Sequence, residues 1–397
     1  MLRYFDYRPG YLELKEQIDD AIRRVLDSGQ LILGPEVRAF EQEFAAYVGV
    51  PGAVGVNSGT DALILALRSL GVGSDAEVIT VANAGVPPVA AIRAAGATPR
   101  FVDVDPETLL MDPAQLEGAR TERTRCVLPV HLYGQPAPLA PILEFAERHG
   151  LEVIEDCAQA HGAIYCGAHV GGFGSVGCFS FYPTKNLGAF GDGGLLTTND
   201  AELAERLSIL RVHGSKPKYY HELIGINSRL DALQAAVLRV KFRHLPAWSD
   251  ARRANAAVYD RAFAEAGAQT SAVPLAEGGF PLRTPQPPQA PASHIYNQYV
   301  IRVPAESRDS LREHLRTNGI GSEIYYPVPL HRQGCFGYLG EPVVDLSESE
   351  LAAAETLALP IFPELSEQQL GHVLKTVIEF VGRSRTHQVV AAAATRS

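Results

Sequence analysis

LEVIED (151–156) and GCFSFY (177–182) are apolar runs of strand length, and each leads straight into a residue able to do chemistry. The first closes on Asp156 and continues as CAQAHGA. The second continues as PTKNLGAFGDGG, which sets Lys185 at a strand exit ahead of a glycine-rich run. Outward from this pair the same grammar repeats. TRCVLPVH (124–131), PRFVDV (99–104), EVITVA (77–82) and VGVNSG (54–59) read as strands before it, and GGLLTT (193–198) after it. Between them LAPILEFAERHG (139–150), PPVAAIRAAG (87–96) and TDALILALRSLG (60–71) carry helical periodicity, and each ends on glycine. Two amphipathic helices come first: 11–27, with Leu14, Ile18, Ile22 and Val25 on one face, and 36–48. Apolar strands alternating with helices predict an α/β domain with a mostly parallel sheet, covered on both faces.

The pattern changes near residue 230. Residues 229–267 read as nearly continuous helix with a break at Pro246, and the Pro-rich stretch 280–292 as a loop. NQYVIRVP (297–304) reads as a strand, 309–318 as a helix, then EIYYPVP (323–329) and two C-terminal helices. Ser347 with Glu350, and Ser366 with Gln369, fit a capping box at their starts. The expected division is a large α/β domain over 1–246, a smaller C-terminal α+β domain over 247–387, and a flexible tail over 388–397.

The chain has 397 residues and a formal charge of −10, which argues against a nucleic-acid-coating protein. No run is long and apolar enough to span a bilayer, and the first residues lack a signal-like apolar core. The five cysteines show no CxxC pairing, so neither a disulfide framework nor a metal site is expected. A cytoplasmic location, with no membrane or nucleic-acid partner, is the expectation.

Only six lysines are present, and Lys185 is one of them. An amine desolvated at a strand exit has a lowered pKa and becomes nucleophilic, although an ordinary loop lysine is an equal alternative. Asp156 ends a parallel strand, where open α/β sheets place their ligands; capping the next segment is its simpler reading. Gln159 and His161 follow on the same approach. Ser58-Gly59-Thr60 opens a helix and can cradle a phosphate with free N–H groups, or merely cap that helix. GGFGSVG (171–177) precedes no helix, and the chain has no GxxxxGK[ST], GxSxG or HExxH. Taken together, a phosphate cradle, a strand-end aspartate and a strand-exit lysine are what pyridoxal phosphate (PLP) requires. The phosphate needs donors, the pyridine nitrogen a carboxylate, and the aldehyde an amine.

The ordered blocks GQLILGPEVRAFEQEFAAYVG, VGVNSGTDALILALRSLG, PVHLYGQPA, VIEDCAQAHGA, GCFSFYPTKNLGAFGDGG, RVHGSKPKYYHELIGINSRLDALQAA and IYYPVPLH resemble the DegT/DnrJ/EryC1/StrS sugar aminotransferases. The resemblance runs from about residue 10 to about 382. It implies the PLP-dependent transferase fold type I, like aspartate aminotransferase. It also implies that Lys185 forms the Schiff base and shuttles the proton, and that Asp156 pairs with the pyridine nitrogen. Gln159 would lie near the phenolate oxygen, and Ser58, Gly59, Thr60 and Ser180 would bind the phosphate. Asn227 would reach that phosphate from the other subunit of a homodimer with shared active sites. Arg229, His331, Tyr325 and Tyr220 are implied as facing the nucleotide-sugar substrate. The implied reaction moves an amino group from glutamate or another amino acid to a nucleotide-linked keto-sugar, in amino-sugar or natural-product biosynthesis. KYYHELIGINSRLDALQAA is similar to members that aminate C3, which favours a 3-keto-6-deoxyhexose on dTDP or UDP over a 4-keto-sugar or a cyclitol ketone. A non-catalytic PLP-binding regulator is the remaining alternative. Lys185 speaks against the related dehydratase branch, where a histidine resembles its replacement. The chain departs from the pattern at one place: the aromatic residue that stacks on the cofactor ring in many members falls near Gly85, and no ring occurs between Val78 and Phe101.

Overall fold

The structure, a computed structural model, describes residues 1–270, 275, 280–288, 292–340 and 342–394. Helices α1 (Arg8–Ser28) and α2 (Pro35–Val48) lead into strand β1 (Gly52–Val56) and α3 (Gly59–Ser69). Then come β2 (Glu77–Val81), α4 (Pro87–Ala94), β3 (Thr98–Val102), the single turn α5 (Leu116–Ala119), β4 (Thr124–Leu128), α6 (Leu139–His149) and β5 (Glu152–Asp156). A small hairpin, β6 (Ile164–Tyr165) and β7 (Ala168–His169), precedes β8 (Val176–Ser180), β9 (Gly194–Thr198) and α7 (Ala201–Leu210). The sheet order is β1-β9-β8-β5-β4-β2-β3. All neighbours pair in parallel except those of β9, which runs against both β8 and β1. The loop 181–193 carries no crossover helix, so β9 returns antiparallel. The expected strands thus form a mostly parallel sheet, and β2 and β9 are buried at every position, as double coverage demands.

The ends of β1, β5 and β8 lie on one edge of this sheet. Beneath that edge Phe179 and Phe181 pack on the N-terminal helices, with ring centroids 4.9 Å from Phe44 and 5.3 Å from Phe40 respectively. This aromatic layer ties α1 and α2 to the base of the loop that carries Lys185.

Helices α8 (Ala232–Phe242) and α9 (Leu245–Glu265) form the expected long helical run. The break falls at Arg243-His244 rather than at Pro246, which sits in the first turn of α9, where a missing N–H costs no hydrogen bond. Helix α9 is shared between cores, since Leu245 belongs to the layer under the sheet edge while Tyr259 and Phe263 belong to a second core. That core is completed by β11 (Tyr299–Arg302), α10 (Ala305–Thr317), β12 (Thr356–Leu359) and α12 (Glu367–Ala394), while β10 (Ala292–Ser293) pairs with β6 and α11 (Ser347–Glu355) turns Ala352 to the main core. Strand β12 was not expected. TLAL is short and follows the helix-forming run ELAAAE, so nothing local marks it, yet it pairs antiparallel with β11. In β11 the side chains alternate: Tyr299 and Ile301 face the second core, and Val300 faces the main one. Helix α10 begins a turn earlier than expected, directly after Pro304.

The Ser366–Gln369 capping box forms, with reciprocal bonds of 2.9 and 3.2 Å. The Ser347–Glu350 box does not. Ser347 bonds Asp345 instead, and Glu350 turns to His331 and Arg332. The start of α11 is capped from afar by the buried Asp103 carboxylate, which accepts the N–H groups of Glu348 and Ser349 at 2.7 and 2.8 Å. Helix α12 continues to Ala394, and residues 395–397 of the expected tail, like 289–291 of the Pro-rich loop, lie outside the described residues. Among the described residues no helix is long and apolar enough to cross a membrane.

Candidate active site

The carboxyl ends of β1, β5 and β8 open on a cleft of about 270 Å³ lined by Ser58, Gly59, Thr60, Asp156, Gln159, Ser180 and Lys185. This is the crevice that an open α/β sheet leaves for ligands.

Ser58 is the N-cap of α3, and its hydroxyl accepts the Asp61 N–H at 3.1 Å. The N–H groups of Gly59 and Thr60, in the first turn, have no intrahelical acceptor, which makes this end a site for an anion. Gly59 is required by space, because a Cβ there would stand 2.6 Å from Ser180 Cβ. The helix end is thereby pressed against the end of β8.

Asp156 is buried, and its carboxylate accepts the Ala158 N–H at 3.0 Å. Burial raises its pKa, while that N–H and the charge of Lys185 work the other way. Behind it, Glu155 on the opposite face of β5 accepts the N–H groups of Gly171, Phe173 and Gly174, and meets His131 Nε2 at 3.1 Å. Burial works to raise the Glu155 carboxyl, but His131 and these amides hold it below its ordinary value. His131, Glu155 and Cys157 are close enough to suggest metal ligands. The lone pairs of His131 and Glu155 are committed, however: His131 Nδ1 accepts the Ala137 N–H at 2.9 Å, so Nε2 carries the proton offered to Glu155. The His131–Glu155 pair anchors the strand that bears Asp156.

Lys185 follows β8 in a tight turn, where its N–H bonds the Tyr182 carbonyl at 2.9 Å. Gly188 closes the turn because a Cβ there would lie 2.4 Å from the Pro183 carbonyl oxygen, and Lys241 Nζ donates to the Gly188 carbonyl. The Lys185 side chain reaches the cleft while protein surrounds it. This loss of solvent pushes its ammonium down to about 8, against the attraction of Asp156. His161 packs against Phe179 and Phe181, and burial, then the charge of Lys185, pushes it down to about 3. It is a neutral wall residue.

Gln159 Oε1 accepts the Tyr133 N–H at 2.6 Å, and Nε2 donates to the Tyr326 hydroxyl at 3.1 Å. Tyr326 was not anticipated. Its neighbour Tyr325 was, but Tyr325 turns away from the cleft toward Tyr4, with centroids 6.0 Å apart, and its carbonyl accepts the Tyr133 hydroxyl. Tyr182 and Asp192 also line the cleft without having been singled out. The motif IYYPVPLH held the signal for Tyr326, though nothing in it ranks one tyrosine over the other. Gly85, Pro87 and Pro88 lie where the aromatic was missing, and Val86 is half exposed.

The remaining expected residues stand elsewhere. His331 bonds Glu350 at 3.0 Å and faces a separate cavity with Glu77, Arg100 and Arg123. Tyr220 is exposed in the turn closed by its N–H to the Pro217 carbonyl. Asn227 is exposed and paired with Val212, and neither it nor Arg229 is among the described residues lining the cleft of their own chain.

An anion-binding helix end, a buried carboxylate and an amine of lowered pKa in one cleft match the donor set that PLP needs. Residues 12–378 match the DegT/DnrJ/EryC1/StrS aminotransferase family. A dTDP-3-amino-3,4,6-trideoxy-alpha-D-glucose transaminase of Streptomyces venezuelae is 46% identical over 380 residues, which cover 96% of this chain and 96% of the relative. A pleiotropic regulatory protein of Geobacillus stearothermophilus is 46% identical over 375 residues, 94% of this chain and 97% of its own. The crystal structure of S. venezuelae DesV in complex with a ketimine intermediate aligns with a TM-score of 0.89 at 45% identity, covering 96% of this chain and 98% of that one. The chain therefore belongs to the DegT/DnrJ/EryC1/StrS aminotransferase family and is a PLP-dependent aminotransferase.

Proposed function

We propose that the enzyme transfers an amino group from glutamate to a nucleotide-linked 3-keto-6-deoxyhexose carried on dTDP or UDP. The observation that carries this reading is that Lys185 and Asp156 share one cleft whose far end is the start of α3. Likeness to the S. venezuelae dTDP-sugar transaminase over nearly the whole chain supports the sugar class. When bound, PLP supplies the aldehyde that carries the amino group and a ring that takes up electrons. Each residue then has a role. Ser58, Gly59, Thr60 and Ser180 hold the phosphate. Asp156 keeps a proton on the ring nitrogen. Gln159 offers an N–H to the ring oxygen. Lys185 Nζ, with an ammonium near 8, gives up and takes back a proton close to neutral pH. Asn227, Arg229 and Tyr220 are assigned to the site of a second subunit. Tyr220 and Asn227 are exposed and Arg229 is partly so, with Ile224 92% exposed in the same segment, which supports a homodimer with shared sites.

The test is a panel of acceptors with glutamate as donor, read by release of 2-oxoglutarate and by the mass of the aminated product. Turnover of a dTDP- or UDP-linked 3-keto-sugar, absent in Lys185→Ala, is the expected result. Turnover restricted to 4-keto-sugar nucleotides or to a cyclitol ketone would overturn the substrate assignment. Borohydride treatment of the PLP-loaded protein should fix the cofactor mass on the peptide bearing Lys185.

A further inference from the structure

Gly85 and Tyr326 meet at the cleft, although they come from distant parts of the chain. A Cβ at position 85 would lie 3.0 Å from the Tyr326 hydroxyl oxygen and 3.3 Å from its Cζ. Gly85 does not have a left-handed backbone, so its missing side chain serves space rather than conformation. The space is filled by a phenol ring that lines the same cavity as Asp156 and Lys185.

The ring is also held in place. Gln159 accepts from the Tyr133 N–H and donates to the Tyr326 hydroxyl, and the Tyr133 hydroxyl donates to the Tyr325 carbonyl. These three bonds close a loop between residues 133 and 159 of the α/β part and residues 325–326 that follow α10. They fix the Gln159 amide, because only its oxygen can accept from Tyr133, so its nitrogen must lie on the Tyr326 side. Nε2 has two hydrogens. One goes to Tyr326, and the other remains for a group in the cleft. Burial raises the Tyr326 pKa, which keeps the phenol neutral and its ring available as a flat apolar face.

We propose that Tyr326 supplies the aromatic wall of the cofactor-ring slot, in the volume left open by Gly85, and positions the Gln159 amide toward the cofactor. The proposal rests on the reading of this cleft as the PLP site. Pro87 and Pro88 offer only aliphatic surface there, whereas an aromatic face contributes further through ring–ring contact.

Equilibrium titration of the apoprotein with PLP, followed by absorbance, tests it in the full chain. Tyr326→Leu should raise the dissociation constant roughly three- to tenfold. Tyr326→Phe should bind within about twofold of the parent, since the ring is kept. Its absorbance maximum, or the pH at which the band changes, should move, since Gln159 Nε2 loses the hydroxyl that holds one of its hydrogens while Oε1 stays on the Tyr133 N–H. The exchange Gly85→Phe with Tyr326→Ala should recover affinity relative to Tyr326→Ala alone, because a ring returns from the other side. Wild-type affinity in both Tyr326→Leu and Tyr326→Ala overturns the wall, and a Tyr326→Phe spectrum unchanged at every pH overturns the positioning of Gln159. Should Tyr326→Leu fail to fold, Tyr326→Phe and the exchange pair still decide. A wild-type protein that takes up no PLP, or takes it up without labelling Lys185, removes the cleft reading itself and is told apart by that control.

Discussion

At the scale of single residues, the chemistry turns on an amine whose proton is held loosely. Loss of solvent around Lys185 outweighs the pull of Asp156, and the ammonium sits near 8 instead of 10.5. Only the neutral amine attacks an electrophile, so the reactive fraction rises through that pH. We expect acetic anhydride to label Lys185 in the apoprotein with a midpoint near 8, read by peptide mass against pH. Asp156→Asn removes the charge that favours the ammonium, so the midpoint must fall further. A midpoint that stays or rises in that variant contradicts the shared cleft. Both residues were legible in the sequence, because a strand end is a local signal and the apolar runs before Asp156 and Lys185 are plain. Tyr326 was not. It touches Gln159 across 167 positions, and that closeness comes from packing β11, β12 and the 323–329 segment against the large sheet. Nothing in the YY pair tells which ring enters the cleft.

At the scale of elements, the sequence was reliable where a cap is local and failed where it is remote. Ser366 and Gln369 are three residues apart and bond as expected. Ser347 and Glu350 have the same spacing but are outcompeted. Asp103, at the end of β3, is buried and points its carboxylate at the first turn of α11, accepting two backbone N–H groups and the Ser349 hydroxyl. A charged acceptor in a dry setting outbids an exposed serine for the same donors. Asp103→Ala should therefore cost about 2 kcal/mol or more, the upper end for a lost cap, because the freed N–H groups stay buried. Ser347→Ala should fall within about 0.5 kcal/mol of the parent. Urea unfolding of the two variants measures both, and equal losses would return the cap to Ser347. The missed strand β12 has the same cause. TLAL has no period or turn that marks it, and its partner β11 is fixed by tertiary packing.

At the scale of the whole molecule, folding desolvates two histidines far apart in the chain, and acid exposes that cost. His161 lies under Lys185 among Phe179 and Phe181, and burial followed by the lysine charge lowers it to about 3. His294 stacks on Tyr296 at 3.9 Å and accepts the Tyr296 N–H on Nδ1 at 2.9 Å, and burial lowers it to about 3 as well. In the unfolded chain each binds a proton near 6.5, whereas in the folded chain neither does until about 3. The unfolded state thus holds more protons between these values, so stability is full above 6.5 and falls as pH drops through the window. The slope is about 1.4 kcal/mol per pH unit for each histidine. Asp156, raised by burial, acts in the opposite sense, because its folded form takes up a proton first as pH falls. The difference between parent and variant isolates the histidine term from such opposing groups. His161→Phe keeps an aromatic wall on Phe179 and Phe181 while removing the titrating nitrogens. We expect its melting temperature to gain on that of the parent steadily as pH falls from 7 toward 4, with the gap nearly constant above 7. Differential scanning calorimetry of both proteins across this range measures the gap, and a gap independent of pH would mean that the imidazole takes up its proton in the folded chain as readily as in the unfolded one.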